Sequence, residues 1–399
     1  MPRLKLPRKT IEAFRRDLVR WFRKNPRRFP WRTRRTPYRV WISELMLQQT
    51  RADTVVPYFN RFMKRFPSLH ALARAPRQDV LKLWEGLGYY ARARNAQDAA
   101  RLIVEHHRGV FPRTREGLLS LPGIGEYSAA AIGSLALGLN LAVVDGNVIR
   151  VLSRVMAYGG DVASNAAKKN FQQWADALVA RGQAGLSNES VMELGALVCT
   201  PRRPKCLPTV GGASRLRARG QETPPTRAEG GCPLRKVCRA FASGNPERYP
   251  VKKKKAKVPH KIVGAGVVVG RGGKVLIAQR KETSMLGGLW EFPGGTRERG
   301  ETMPECIRRE LMEELGIDTE VGQRLIVVHH AYSHFTIDLH AHWAQIVKGQ
   351  PRVIHCMDFA WVSPKSLRRY PFSAADLKII DAIERSGLVR RRVSAKMLP

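Results

Sequence analysis

Apolar residues recur at intervals of three and four along residues 11–200, and this spacing predicts a series of helices. The first helix would bury one face, formed by Ile11, Phe14, Leu18 and Phe22. Farther along, residues 263–269 and 275–279 are rich in β-branched side chains, which predicts strands. Another helix is expected at 302–315. We therefore expect a multidomain chain, with an all-α domain followed by a domain of mixed α/β (α+β) type.

Charge extends this picture, because 70 Lys and Arg residues against 33 Asp and Glu residues give a formal net charge of +37. Such an excess predicts a polyanionic partner, with nucleic acid as the first candidate and an anionic membrane surface as the second. No apolar run approaches the roughly 20 residues needed to cross a bilayer, so no membrane partner is expected. The 399 residues are enough for two or three domains, and we expect a monomer.

The N-terminal residues lack the apolar core of a secretion signal. They are rich in arginine and poor in acidic residues, as in a transit peptide, but the first helical pattern begins almost at once and makes them part of the fold. An intracellular protein, cytoplasmic and associated with DNA, is therefore expected. In that compartment the six cysteines are not expected to pair as disulfides.

A glycine turn, LPGIG at residues 121–125, separates two helical patterns. Gly123 and Gly125 let the backbone come close to a partner, and the N–H groups that open the next helix can bind a phosphate. Twenty residues later, Asp145 follows an apolar run and directly precedes another predicted helix. The positive end of that helix favours an ionised carboxylate, which can stabilise a cation. Taken singly, both features have simpler explanations, since most such turns only join helices and such an aspartate is often only an N-cap.

Glu44 interrupts an otherwise apolar helix in VWISELMLQQT, residues 40–50, and a solvated helix face would explain one such carboxylate. The hairpin LPGIG, the alanine-rich helix after it and VDGNV around Asp145 occur in an order that resembles the helix-hairpin-helix DNA glycosylase superfamily. SELMLQQT and WEGLGYYARARN, residues 84–95, are similar to two pocket segments of its adenine-specific branch, the MutY family. The resemblance covers nearly the whole chain.

This resemblance implies roles for individual residues. Glu44 would be the general acid and base, Asp145 would stabilise positive charge on the sugar, and Tyr127 and Asn147 would orient these groups. The side chains implied in DNA contact are Gln49 and Tyr89 as wedges in the base stack, Thr50 and Leu87 against the base opposite the extruded adenine, and Arg32 and Glu193 in the adenine pocket.

Bifunctional members of the superfamily carry a lysine two residues after the second hairpin glycine, and it forms a Schiff base with the sugar. This chain has Tyr127 at that place. Because a tyrosine cannot form an imine, base removal with little or no strand cleavage is expected. Glu126, directly before it, places a negative charge beside the expected phosphate contact.

Four cysteines form two pairs, with six residues between Cys199 and Cys206 and five between Cys232 and Cys238. The family pattern is C-x6-C-x2-C-x5-C, four thiolates that hold a [4Fe–4S] cluster. Here 25 residues separate the pairs, which implies an insertion at 209–231. Its Gly, Arg and Pro content predicts a disordered basic loop. The entropic cost of closing a loop grows only with the logarithm of its length, so the insertion adds at most about a few kcal/mol. We therefore expect the cluster to form. A zinc site and free structural cysteines are the alternatives.

The helix expected at 302–315 belongs to a complete Nudix box, which runs from Gly295 to Ile317. At helical spacing Glu310, Glu313 and Glu314 share one face, where carboxylates can bind Mg²⁺ against a pyrophosphate. The resemblance implies a domain that reads 8-oxoguanine. Retained Mg-dependent hydrolysis of oxidised nucleoside triphosphates is the alternative.

The segment Tyr332, Ser333 and His334 is similar to the family's Phe-Ser-His loop, in which the serine would hydrogen-bond the lesion. An ordinary polar loop after a strand is the simpler explanation. The domain boundaries that we predict are a glycosylase domain at 1–244, a basic linker at 245–261, a Nudix-like domain at 262–390 and a tail at 391–399. The lysine run of the linker is either solvated or in contact with phosphates.

The expected function is the removal of adenine mispaired with 8-oxoguanine or guanine in duplex DNA. Three other classes compete with it. A bifunctional pyrimidine glycosylase does not explain Tyr127, and a nucleotide-pool Nudix hydrolase leaves Glu44 and Asp145 without a role. A non-catalytic DNA-binding protein explains the charge alone.

Overall fold

The computed structural model describes residues 6–207, 231–253 and 258–387. The predicted insertion at 209–231, apart from Gly231, and the predicted tail at 391–399 therefore lie outside the described residues. The helices are α1 Arg8–Lys24, α2 Pro30–Thr33, α3 Pro37–Leu47, α4 Ala52–Arg65, α5 Leu69–Arg74, α6 Arg77–Trp84, α7 Ala91–His106, α8 Arg115–Leu119, α9 Glu126–Ala136, α10 Gly146–Met156, α11 Asn165–Leu178, α12 Ala184–Leu197, α13 Arg239–Ala242, α14 Met303–Leu315 and α15 Ala374–Arg385.

The strands are β1 His260–Val268, β2 Val275–Gln279, β3 Trp290–Glu291, β4 Asp318–Ala331, β5 Thr336–Lys348 and β6 Asp358–Val362. These elements form two compact units. Of the described residues, unit 1 contains 6–63, 102–207 and 231–253, and unit 2 contains 64–101 and 258–387. Residues 64–101, which the sequence places in the helical domain, thus group with the C-terminal fold. Among the described helices, none is both long and apolar enough to span a bilayer.

Unit 1 is built around a helical core. The predicted apolar face of α1 is buried through Phe14, Leu18 and Phe22. It packs with apolar residues of α10, α11 and α12. Burial of such side chains contributes about 1.5–3 kcal/mol each, so this stripe anchors the N-terminal helix. The helices predicted along 11–200 are confirmed.

The described part of unit 2 forms two three-stranded sheets, in the orders β1-β5-β4 and β3-β2-β6. β1 and β5 run parallel, and β4 pairs with β5 in the antiparallel sense. Alternate residues of β1 and β2 enter two different cores, one against α14 and the other against α15. This alternation follows from the two-residue repeat of a strand, and it covers the sheets with a helix on either side.

Helix α14 is delimited by strong local signals. Thr302 and Glu305 form a reciprocal capping box at its start, and Gly316 ends it in the left-handed conformation. Gly264 of β1 allows the helix to lie close, since a Cβ there would be 2.7 Å from Cγ1 of Ile307. The helix predicted at 302–315 is confirmed to within one residue.

Candidate active site

Unit 1 contains a cavity of about 480 Å³ that gathers the predicted catalytic residues. Its wall includes Glu44 from α3, Tyr127 from α9, and Asp145 and Asn147 from the start of α10. These residues come from three segments of the chain, and the fold brings them to one place. Their proposed roles stay predictions, but the geometry allows them to act on one bound molecule.

Glu44 is 6% exposed. Its carboxylate accepts a hydrogen bond from the Tyr127 hydroxyl. Burial raises the pKa of Glu44 to about 7, with smaller contributions in the same direction from Asp145 and Glu189, while the hydrogen bond from Tyr127 opposes this rise. Near neutral pH, Glu44 is therefore able both to give and to take a proton.

Asp145 is the N-cap of α10, and its carboxylate accepts hydrogen bonds from the Val148 amide at 2.7 Å and from the Asn147 side-chain amide at 2.8 Å. Burial outweighs these two donors and raises the pKa of Asp145 above its ordinary value. The sequence predicted the capping position, but not the opposing effect of burial. The donors and the positive end of the helix favour the ionised form.

A chain of hydrogen bonds continues from this aspartate through Arg150. The Arg150 guanidinium donates to Oδ1 of Asn147 at 2.7 Å and to the carbonyl oxygen of Cys199 at 2.6 Å. Helix α12 approaches here through Gly195, where a Cβ would lie 2.6 Å from Cβ of Asn147. The position of Asn147 is therefore fixed from two sides.

The far wall of the cavity holds a buried ionic network. Arg32 donates to Glu189 at 3.1 Å and to Glu193 at 3.0 Å, and Arg27 donates to Glu193 at 2.8 Å. Burial alone would raise the pKa of Glu193, but hydrogen bonds from Arg27 and Arg32 outweigh it and lower the pKa. Both predicted pocket residues, Arg32 and Glu193, thus line the cavity in fixed positions.

Two members of this network, Glu189 and Arg27, were not identified from the sequence. Glu189 lies four residues before Glu193 on α12, so both share one helix face. It is 5% exposed and also pairs with Arg35 at 2.7 Å. The signal that could have found it is a second carboxylate, one helical turn before the predicted pocket residue Glu193.

The glycine turn joins α8 to α9 as predicted. Gly123 has a φ of 72°, in the left-handed region, and Gly125 is the N-cap of α9 with open space where a Cβ would lie. Glu126 does not leave an unbalanced charge beside this turn, because Arg115 donates to its carboxylate at 2.6 Å. The geometry suits a phosphate contact at the start of α9.

The two predicted wedge residues share an unusual backbone conformation. Gln49 of unit 1 and Tyr89 of unit 2 have φ values of 61° and 48°, which non-glycine residues rarely adopt. Such strain often marks functional positions. Thr50 lines the cavity. Leu87 is buried in this structure, at 7% exposure, although the sequence predicts contact with a base.

The predicted lesion-reading segment connects β4 to β5 in unit 2. Tyr332 packs against the rings of His330 and Phe335, and burial raises the pKa of its hydroxyl to about 12. Ser333 and His334 are exposed. The Ser333 hydroxyl contacts the hydroxyl of Tyr89, so two predicted DNA-contacting residues meet in this unit.

All four cysteines of the predicted cluster belong to unit 1 and are free thiols. Burial raises the pKa of Cys232 to about 12 and that of Cys238 to about 11. The buried Arg154 donates to Sγ of Cys199 at 3.2 Å. Four thiols beside a buried cation fit an anionic iron–sulfur cluster by donor chemistry.

Three carboxylates of the Nudix box are engaged by Arg309, which lies on α14. Arg309 donates to Glu301 at 2.7 Å, to Glu310 at 3.0 Å and to Glu313 at 3.2 Å. Burial raises the pKa of Glu314 to about 7, and Glu310 adds to this effect. In the described residues, no group of three or more His, Cys, Asp and Glu side chains is spaced to hold a single metal ion. Neither Mg²⁺ nor the cluster is therefore shown by the geometry alone.

Comparison with known proteins agrees with this arrangement. Residues 42–177 match the HhH-GPD superfamily base excision DNA repair protein, and residues 264–382 match the NUDIX domain. The fold and the cavity thus define a helix-hairpin-helix base excision repair protein with a C-terminal Nudix domain.

The chain is 35% identical to the adenine DNA glycosylase of Rattus norvegicus, over 94% of this chain and 78% of that protein. It is 37% identical to the enzyme of that name from Mus musculus, over 82% of this chain and 69% of the other. It is 32% identical to the adenine DNA glycosylase of Buchnera aphidicola subsp. Schizaphis graminum, over 83% of this chain and 87% of that protein. The chain therefore belongs to the adenine DNA glycosylase family.

Proposed function

We propose that this chain removes adenine mispaired with 8-oxoguanine, or with guanine, from duplex DNA. The observation that carries the proposal is the buried Glu44 carboxyl with a pKa of about 7, bound by Tyr127 beside Asp145 in a cavity. The relatives named adenine DNA glycosylase support this reaction. Because adenine lies inside the base stack, the nucleotide has to be turned out of the duplex to reach the cavity.

Glu44 supplies the proton that makes adenine a better leaving group. Below a pH of about 7 the carboxyl is protonated, and it donates to N7 of the extruded adenine. The glycosidic bond then breaks, and both of its electrons leave with the purine. The Glu44 carboxylate that remains accepts a hydrogen bond from Tyr127 and takes a proton from the water that attacks the sugar.

Asp145 stabilises the positive charge that grows on the sugar as the bond breaks. An anionic carboxylate in a site with little water lowers the energy of such a cation, either through space or as a transient covalent adduct. Asn147 holds one oxygen of Asp145, and the Val148 amide holds the other. The donors therefore fix the carboxylate in direction before the substrate arrives.

The ionic network recognises the base. Adenine presents an amino donor and ring nitrogen acceptors. Carboxylates from Glu189 and Glu193 accept hydrogen bonds, whereas the guanidinium groups of Arg27 and Arg32 donate them. We expect a bound adenine to replace some hydrogen bonds within this network by hydrogen bonds to its own amino group and ring nitrogens.

The reaction stops at the abasic site. Tyr127 stands where a lysine would be needed for the imine, and its hydroxyl is engaged with Glu44. The pKa of Tyr127 lies well above its usual range, because the hydroxyl is buried next to two carboxylates. The phenol thus stays neutral and works as a hydrogen-bond donor.

The DNA would be held at several places. The turn with Gly123 and Gly125 binds a phosphate, Gln49 and Tyr89 wedge into the stack, and Ser333 hydrogen-bonds 8-oxoguanine. The net charge of +37 supplies the general attraction to duplex DNA.

Cys199, Cys206, Cys232 and Cys238 would hold the [4Fe–4S] cluster. The support for this assignment is the spacing within each cysteine pair and the thiol chemistry of the donors. Bound there, it would cross-link the segment after α12 to the segment before α13. Iron content of the purified protein, measured for native chain and for Cys206→Ser, tests this assignment.

The Nudix helix offers another candidate function, Mg-dependent hydrolysis of nucleoside triphosphates. The relatives do not favour it. Arg309 also engages Glu310 and Glu313, two of the three carboxylates predicted to bind Mg²⁺.

The test of the main proposal is single-turnover cleavage of a labelled duplex that contains one 8-oxoguanine:A pair. We expect alkali-dependent breaks at the adenine position for the native chain, few breaks without alkali, and none for Glu44→Gln. Native protein that yields no breaks with alkali, in a preparation with bound iron, would overturn the proposal.

A further inference from the structure

Within unit 2, helix α6 and the turn after it contact two segments of the Nudix fold. Gln78 uses both ends of its amide, because Nε2 donates to the Gly288 carbonyl at 3.0 Å and Oε1 accepts from Nε1 of Trp290 at 3.0 Å. Trp290 is only 6% exposed. Gln78 therefore acts here both as a donor and as an acceptor.

Glu85 makes the second connection. One carboxylate oxygen accepts from the Phe372 amide at 2.8 Å, and the other accepts from Nζ of Lys82 at 2.7 Å. The same Lys82 donates to the Tyr370 carbonyl at 3.0 Å. Glu85 is mostly shielded from water, which strengthens these contacts relative to an exposed pair.

The turn after Glu85 carries Leu87 and Tyr89, two of the residues predicted to contact DNA. Tyr90, next in the chain, donates from its hydroxyl to the Phe372 carbonyl at 3.2 Å. Tyr89 itself contacts Ser333 of the predicted lesion-reading segment. The two pieces that would contact the bases are thus joined in one unit, and Gln78 and Glu85 lie at the joint.

We propose that Gln78 and Glu85 are positioning residues that set the distance between the Leu87–Tyr89 turn and Ser333, and thereby determine how strongly the enzyme prefers 8-oxoguanine over guanine opposite adenine. This inference rests on the proposed function. The two bases differ by few atoms, so discrimination depends on a hydrogen bond from Ser333 that is effective only at about 2.5–3.0 Å. Glu44 belongs to unit 1, and none of the contacts described here involves it.

The experiment compares Gln78→Ala and Glu85→Ala with the native full-length chain. Adenine release is measured under single-turnover conditions from 8-oxoguanine:A and G:A duplexes. We expect the ratio of the two rates to fall by about tenfold in each variant, because small misplacements cost up to roughly 100-fold, while the G:A rate stays within about twofold. Asp79→Ala is the matched control on α6, since its carboxylate pairs with Arg65 at 2.9 Å, and it should keep the native ratio.

Rescue by a conservative variant separates positioning from simple loss of structure. Glu85→Gln keeps an oxygen that can accept from the Phe372 amide and should recover most of the native ratio. An unchanged ratio in Gln78→Ala and Glu85→Ala, or an equal loss on both duplexes, would overturn the positioning role. A native chain that releases adenine from neither duplex would instead overturn the proposed function, and this inference with it.

Discussion

Two carboxylic acids, the buried Glu44 of unit 1 and the partly buried Glu314 of unit 2, have nearly the same acidity. Burial raises the pKa of Glu44 in unit 1 and of Glu314 in unit 2 to about 7. Each is surrounded by further carboxylates that add to the effect. By acidity alone, both would be candidates for acid–base chemistry.

Their surroundings differ. Glu44 meets a neutral donor, Tyr127, and borders a cavity of about 480 Å³. The two carboxylates near Glu314, those of Glu310 and Glu313, accept hydrogen bonds from the cationic side chain of Arg309. A raised pKa thus indicates chemistry where space for a substrate accompanies it, and a complete sequence motif does not ensure that its carboxylates are free of a neighbouring cation.

Replacing each acid by its amide gives the largest expected difference. Glu44→Gln removes the proton donor and should slow adenine release by about 10²–10⁴-fold, the usual contribution of a general acid. Glu314→Gln is the matched control, and its rate on a G:A duplex should stay within about twofold. Single-turnover rates measure both. A comparable loss in Glu314→Gln would show that the comparison is mistaken.

The pH dependence sharpens the role of Glu44. Its folded pKa is raised to about 7, so the protonated form that donates is present below that pH and is lost above it. The rate should therefore fall about tenfold per pH unit above pH 7. Tyr127 lowers the pKa of Glu44 through its hydrogen bond, so Tyr127→Phe should move this decline to higher pH.

Rates from pH 5.5 to 9 for native protein and Tyr127→Phe give the measurement. A decline that moves to lower pH in the variant would contradict the assigned sign. Glu314→Gln is again the control. It leaves Glu44 and Tyr127 unchanged, so its rate should decline over the same pH range as that of the native chain.

Local signals in the sequence predicted much of this molecule. The stripe of Phe14, Leu18 and Phe22 predicted α1, and the capping position of Asp145 followed from the residues around it. Both depend on interactions within a few turns of chain. They are therefore visible in residue spacing.

Long-range pairing was not predictable in this way. Arg32 and Glu189 are 157 positions apart, and the contact of Gln78 with Trp290 spans 212. The engagement of the Nudix carboxylates by Arg309 was also missed, although Arg309 is part of the same box. The carboxylate that an arginine binds, among several nearby, depends on side-chain geometry. The spacing of residues in the sequence does not determine that geometry.

A smaller effect is expected from adding a methyl group at a closely packed glycine in each unit. In Gly195→Ala the new methyl would lie 2.6 Å from Cβ of Asn147, and in Gly264→Ala it would lie 2.7 Å from Cγ1 of Ile307. Each should destabilise its unit by about 1–3 kcal/mol, as overpacking does. Only Gly195→Ala should also slow release from a G:A duplex, because it displaces the residue that holds Asp145.

Thermal unfolding and G:A rates measured at a temperature well below unfolding separate these effects. Equal slowing by both variants would mean that general destabilisation, not the position of Asn147, controls the rate. Gly146→Ala adds a check beside Asn147, since a methyl there meets open space.

The smallest expected effect concerns Mg²⁺ and unit 2. If Arg309 is what neutralises Glu301, Glu310 and Glu313, then Arg309→Gln leaves carboxylates that a divalent cation can bind. Millimolar Mg²⁺ should then raise the unfolding midpoint of Arg309→Gln by about 1–3 °C more than that of the native chain, as binding to the folded state requires. Arg308→Gln, which instead loses a pair with Asp318, is the control on the same helix. An equal response of all three proteins to Mg²⁺ would show that Arg309 does not govern access to these carboxylates, and the contrast between the two units would then rest on the cavity alone.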